Sequence, residues 1–573
     1  MSAPKKKPGE SALGKAYRTF DRGLVACVDT VKTDLTEALD KIDNRIDKVE
    51  DAVITYVQGI KATTTKDLDF ASGVVTREMR NKVLISQWVA SFLAGSRDVS
   101  LDPIAYSFAR FAFTICACYD AVSGDYFVAT NIHVLMLSLM KFDSELISGP
   151  ATMALMHLSL HNEMRPELIR IQLLPSLLKV LINSNSQIIL TQAAKLCASL
   201  ALHDDCKSEL AGSGCFHILL DLTGGMHKIA NKNTQRAAAS AAVNIIHNNN
   251  ANRLLAVELT GIKAFLNAIR MSSNEYIILQ GLRGLCNISF FNKFTGTQIL
   301  AAGGDSVIVD ILESGDILRQ PDTAVVALAC LTNICTTEAA QSHVGSSGGA
   351  VTSAIRICEY GREPRTVAAA ARFLCATLYR NTGNKARCAA SGAIKVLMKR
   401  IIKHSQYKDD ENIHCFEVLC YALASILLYP TNHELMKDIK ALPEVVNLCK
   451  RSGQKRVVAA ASMVIAALVP SPDDLYRFHQ DEIPVECEEC DVGAVLRKAR
   501  VFAFGDDVGA PQWCELALSY LNMTDNELKI QQTWIKEEFK DREIYFREYN
   551  TSIRADSEVA KFNGAKGLIF SIY

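Results

Sequence analysis

The side chains that could do chemistry are few and scattered. Cys487 and Cys490 form the single CxxC of the chain. A structural zinc site wants four ligands, and the neighbouring candidates, His479 and Cys514, complete no recognisable spacing, so no metal is expected. The run from Gly345 to Gly349 is rich in glycine and serine but lacks the Lys-Ser/Thr pair with which a phosphate-binding loop holds a nucleotide. It falls where a turn between helices is needed, and that structural use suffices for it. No His-Glu-x-x-His pair or dinucleotide fingerprint occurs. His157 and His247 sit in or just after apolar helical runs, where packing accounts for them. The expectation is a protein without catalytic residues or cofactor.

Bulk composition points to packed helices. The chain has 573 residues, 49% hydrophobic and 22% charged, which is globular rather than disordered. Only 14 prolines occur, and the abundance of Ala and Leu favours helix. Lys and Arg number 62 and Asp and Glu 62, so no whole-chain field attracts nucleic acid or an anionic membrane. Most of the 18 cysteines lie inside apolar helical runs, as Cys116, Cys197, Cys286, Cys330, Cys375 and Cys420 do. There they serve as small hydrophobes rather than a disulfide framework. Residues 1–8 lack the apolar stretch of a signal peptide, residue 2 is serine, and no segment reaches the roughly 20 apolar residues of a span. A reduced, soluble, cytoplasmic setting is expected.

The elements reveal themselves as a repeat. Ala241 to Ile245, Leu285 to Ile288 and Leu331 to Ile334 align with one another, each ending an Ala- or Leu-rich helix. Each is followed by a glycine opening the next apolar helix: Gly261, Gly304 and Gly349. Extending the register finds Thr114, His157, Ser199, Thr377, Ser425 and Ala467 in line with Asn244, Asn287 and Asn333. Successive spacings are 43, 42, 45, 43, 46, 44, 48 and 42. A short helix, a glycine-aided turn and two longer helices cannot bury their own apolar face, and stacking such units buries it. Alanine runs such as Ala237 to Ala239 and Ala368 to Ala371 suit close helix packing.

These residues resemble the armadillo repeat: an Ala-Leu-x-Asn-Leu/Ile ending, a loop, then Gly-Gly/Ala-Ile/Val. The resemblance covers residues 100–472. The fold it implies is all-α, a right-handed α-solenoid of about nine three-helix repeats with helical extensions at both ends. Residues 1–99 and 473–573 are those extensions.

In armadillo proteins the third helices line a concave groove, and the column asparagine bonds the backbone of an extended peptide. By resemblance Asn244, Asn287 and Asn333 could do so here; the alternative is that each caps local backbone. One turn earlier, nuclear-import adaptors of the family place tryptophans. Here that column reads Arg110, Met153, Lys195, Ser240, Arg283, Ala329, Phe373, Tyr421 and Met463. The only tryptophans are Trp88, Trp513 and Trp534, so the chain is expected to stand outside that branch. Lys195, Arg236 and Arg283 lie on three successive third helices. Facing the groove, they would suit an acidic extended ligand; facing solvent, they would be ordinary surface charges.

The extensions differ from the repeats. Leu35, Leu39, Ile42, Ile46, Val49, Val53, Tyr56 and Ile60 step alternately by four and three, a narrow heptad stripe. This segment is expected to dock as a helix, on a partner or back on the solenoid, in preference to pairing with a second copy. Residues 471–510 hold ten acidic and four basic residues, and the chain closes on an apolar run from Gly567 to Tyr573. That extension could cap the last repeat, reach the basic groove or dock a neighbour.

The expected function is a non-enzymatic scaffold for other proteins. By family resemblance it is a structural component of a cytoskeletal assembly, with ciliary and flagellar axonemes among the candidates. The alternative is a soluble cytosolic adaptor that holds an extended acidic peptide of a client in its groove. Partners are proteins in either case, with no nucleic acid and no membrane span.

Overall fold

The computed structural model describes residues 132–468, apart from 144, 228–230, 291–292, 348 and 439–441. Among the described residues every regular element is helical, with 23 α-helices and no strand. The described helices fall into two compact units, residues 132–219 with 227–245, and residues 220–226 with 246–468.

The described part of the first unit opens with a helix pair, α1 (Ile132–Met140) and α2 (Glu145–Leu158). A triplet follows: α3 (Met164–Arg170), α4 (Leu173–Asn183) and α5 (Gln187–Leu200). The next is α6 (Asp204–Gly212), α7 (Cys215–Thr223) and α8 (Lys232–Ile246), with the division between units inside α7 and at the end of α8. The second unit carries five triplets. These are α9 (Asn250–Glu258), α10 (Gly261–Met271) and α11 (Glu275–Ser289); then α12 (Lys293–Ala301), α13 (Gly304–Glu313) and α14 (Pro321–Ile334). The third is α15 (Glu338–Ser346), α16 (Gly349–Tyr360) and α17 (Pro364–Leu378). The fourth is α18 (Thr382–Ala390), α19 (Ala393–His404) and α20 (Asp410–Leu427), and the last is α21 (His433–Asp438), α22 (Leu442–Arg451) and α23 (Lys455–Leu468). In every triplet the third helix is the longest, and in all but α6–α8, where the first two are equal, the second is longer than the first. The fold is a helical-repeat stack.

Local chemistry sets each boundary. The first helices are opened by side chains that satisfy orphan amides: Asn249 accepts from the Asn252 amide, Thr337 from Ala340 and Asn381 from Asn384. Ser186, Asn274 and Asp409 do the same for third helices. The corner between first and second helix turns on one left-handed residue: Gln172, Gly214, Thr260, Gly303 or Gly392. At Thr260–Gly261 the expected division of labour is reversed. Threonine takes the positive φ, and the glycine is needed because a Cβ on Gly261 would stand 2.6 Å from the Ala256 carbonyl oxygen.

The third helices form the inner layer of each unit. In the second unit α11, α14, α17, α20 and α23 pack in succession, each against the next. Second helices cover them, α10 on α11 and α19 on α20. The alanine runs Ala237 to Ala239 and Ala368 to Ala371 are buried as expected, and Phe216, Phe265, Phe373 and Phe416 lie fully inside. A polar side chain breaks this layer. Gln280 of α11 is 0% exposed, and both its amide oxygen and nitrogen are buried without a partner. An unsatisfied buried polar group costs about 1–3 kcal/mol, whereas an apolar side chain of similar shape does not. Gln280→Met is therefore expected to stabilise the second unit by about 1–2 kcal/mol, read as slower hydrogen exchange across α11 and a higher thermal midpoint.

Candidate functional site

The residues singled out for a groove lie on third helices of both units. In the first unit, Lys195 is on α5 and Arg236 and Asn244 are on α8. Lys195 and Arg236 are half-buried, while Asn244 is buried and its Nδ2 donates to the Ala198 carbonyl at 3.0 Å. In the second unit, Arg283 and Asn287 are on α11 and Asn333 is on α14. Asn333 Nδ2 donates to the Cys286 carbonyl at 3.2 Å. The two bonds are equivalent. Each reaches back one repeat, to the residue just before the column position, Ser199 or Asn287. These asparagines thus tie adjacent third helices together, and each amide keeps further donor and acceptor capacity. The Nδ2 of Asn287 is buried with no hydrogen-bond partner.

Removing the Asn244 amide orphans a buried carbonyl on α5. Asn244→Ala is expected to destabilise the α5–α8 contact by about 1–3 kcal/mol, seen as faster amide exchange at the C-terminal end of α5. Exchange unchanged from wild type would show that the bond contributes nothing.

Arg283 is also buried, and loss of hydration pulls its guanidinium down to about 10, against the opposing attraction of Asp322. It remains a cation at neutral pH. In the same column of the second unit Phe373, Tyr421 and Met463 are buried within the stack and Ala329 is half-buried.

Two polar systems escaped the sequence reading. The first runs between successive third helices, from their first turns to their middles. Arg365 joins Asp322 at 2.8 Å, and Arg372 donates to His414 at 2.7 Å. Arg456 clasps both oxygens of buried Glu417 at 2.7 Å and reaches Asp410 at 3.4 Å. The Glu417 carboxylate raises the Arg456 guanidinium above its ordinary value. The second system sits among second helices. Arg400 of α19 donates to the carbonyls of Cys358 at 2.5 Å, Glu359 at 2.6 Å and Gly361 at 2.7 Å, closing the C-terminal end of α16. Arg356 of α16 does the same to Leu312 at 2.6 Å and Ser314 at 3.4 Å at the end of α13. Arg356 and Arg400 stand one repeat apart, so a search for cations at the repeat period would have found them.

Nucleophilic chemistry finds no support among the described residues. Ten of the twelve described cysteines are buried thiols. Burial holds Cys335, Cys388 and Cys415 up to about 12, far from the thiolate form at neutral pH. Gly345, Ser347 and Gly349 satisfy the Gly-x-Ser-x-Gly spacing, which in hydrolases requires a strand-to-helix turn. Here Ser347 lies between two helices, α15 and α16, and its hydroxyl donates to the Val344 carbonyl at 2.7 Å. Among the described residues no three His, Cys, Asp or Glu side chains gather where they could hold a metal, and no described helix is long and apolar enough to cross a membrane. Cys487 and Cys490, the heptad stripe from Leu35 to Ile60, both extensions and the column residue Thr114 lie outside the described residues.

The chain is similar to a solved engineered protein from the Northeast Structural Genomics Consortium, with a TM-score of 0.63 and 19% identity over 76% of this chain and 99% of that one. It is also similar to a chain solved in work on a phosphorylation switch that controls the interaction between cadherin and beta-catenin. There the TM-score is 0.55, with 16% identity over 74% of this chain and 78% of that one. Identities this low speak for the helical-repeat fold alone. No protein-family model matches the chain, and no curated protein does.

Proposed function

We propose that the chain is a non-enzymatic scaffold of the armadillo type that holds other proteins along its third-helix faces. The observation that carries this reading is the succession of third helices in the second unit. It presents Asn287, Asn333, Arg372 and His414 half-exposed on neighbouring helices. Polar side chains on successive helices suit an extended partner, whose backbone offers a donor or acceptor at every residue.

A second reading, deepening the first, gives the groove an acidic peptide. It rests on the half-buried cations Lys195 and Arg236 of the first unit; Arg283, the third cation expected to face a groove, is buried and drops out. Full-length protein is titrated into a fluorescein-labelled, glutamate-rich peptide and followed by anisotropy, beside K195E/R236E. A tenfold or greater loss of affinity in the variant is expected, about 1.4 kcal/mol. Equal affinities would remove the acidic-peptide reading and leave the scaffold.

By family resemblance the proposed setting is a cytoskeletal assembly, with axonemes among the candidates. Cells are separated into detergent-soluble and detergent-resistant material and probed for the chain. Retention in the resistant fraction is expected; recovery wholly in the soluble fraction overturns the cytoskeletal assignment and favours an adaptor.

A further inference from the structure

Ten large apolar side chains stay exposed among the described residues, and six of them fall at one kind of corner, where a second helix hands over to a third. In the first unit these are Ile182 and Ile188, flanking the α4–α5 turn. In the second unit they are Met226 (64% exposed), Met271 (82%), Tyr360 (59%) and Tyr407 (44%). Met271 and Tyr360 are the last residues of α10 and α16; Met226 and Tyr407 follow α7 and α19 within three residues. Single exposed apolar residues are ordinary. A row recurring at the same point of successive repeats is a surface. It is interrupted only at the α13 corner, where Ser314, Gly315 and Asp316 stand, and it stops at the α22 corner, where Ser452 and Gly453 follow.

The row has a pitch and a length. Stacked helices lie about 8–10 Å apart, so from Met226 to Tyr407 the four repeat steps cover roughly 32–40 Å. A helix rises 1.5 Å per residue, so one heptad advances about 10.5 Å. That matches one repeat. The stripe from Leu35 to Ile60 holds 26 residues, about 39 Å as a helix. Its total length, not a one-to-one register of its four a/d pairs with the five corners, matches the row. Its apolar face is too narrow and too short for a strong dimer, and 71 residues lie between Ile60 and Ile132, ample chain to reach any corner.

We infer that the row of second-to-third-helix corners in the second unit is the docking surface for residues 35–60 of the same chain, laid along its length. Tethering favours this occupant over a second copy, because the segment is present at high effective concentration. An intact row then leaves the third-helix faces open for other proteins and covers an edge that would otherwise offer apolar side chains to solvent.

The test uses the full-length chain with a benzophenone photo-crosslinking residue in place of Tyr360. Illumination is expected to give intrachain crosslinks to residues 35–60 in a species of monomer mass. Crosslinks between two copies, crosslinks confined to other segments, or none to residues 35–60 overturn the inference. In parallel, hydrogen exchange over residues 35–60 is compared with M271D/Y407D. Both positions are exposed, and far-UV circular dichroism confirms that the variant is folded. Exchange about tenfold faster or more is expected when the docked helix is released; unchanged exchange overturns the inference.

Discussion

Arg400→Met is expected to be the most damaging single substitution in the second unit, destabilising the α16–α19 contact by about 3 kcal/mol or more. The arginine is buried, and its guanidinium serves three carbonyls at the end of α16, those of Cys358, Glu359 and Gly361. The last carbonyls of a helix have no partner within it, and a cation at that end also opposes the helix dipole. Methionine keeps the length of the apolar stem and removes every donor. The carbonyls are then left where water has little access. In a repeat array this loss belongs to one interface, so it is read locally. Amide exchange at residues 355–361 should rise by two orders of magnitude or so, consistent with about 3 kcal/mol. Arg356→Met, which abandons two carbonyls instead of three, should cost less. Equal and small effects for both would mean that solvent takes over the capping.

The second large effect is expected at Glu417. Its carboxylate is 3% exposed and held at both oxygens by Arg456. Arg456→Met leaves a buried carboxylate without its main counter-charge, and breaking such a pair costs about 3–5 kcal/mol. The lower part of that range applies, because Arg456 is itself 44% exposed on its side chain. Glu417→Gln should cost less, since the amide oxygen can still accept from the guanidinium. A double-mutant cycle over Glu417 and Arg456 should return a coupling above about 1.5 kcal/mol. It should change little between low and moderate salt, unlike the exposed pair Lys179–Asp143 at 2.7 Å. Coupling near zero would reduce the clasp to a surface ion pair.

How much of this was legible depended on whether a feature is periodic along the chain or set by distance across it. The column Ser199, Asn244, Asn287, Asn333 and Thr377 is a sequence register, and each of its members sits near the end of a third helix. Gly214 and Gly392 mark their corners with positive φ. What the asparagines bond to was not legible. Donation from Asn244 to Ala198 spans 46 residues, and the sequence alone left local capping and ligand binding open. The bond needs a donor about 3 Å from its acceptor, a condition that depends on how far one helix is turned against the next.

The sequence by itself determined the helical stack: the period, the apolar stripes and the turn residues require units that bury their faces only against one another. It also led to the expectation that most cysteines serve as packing material, and ten of the twelve described ones are buried. Only the tertiary structure decided that Arg400 caps a helix of the preceding repeat, that Arg456 clasps Glu417, and that apolar side chains line one set of corners. The physical reason is the same each time. A periodic pattern fixes the face on which a residue stands to within a turn of helix, whereas a hydrogen bond or an exposed edge depends on displacements of an ångström between helices a whole repeat apart.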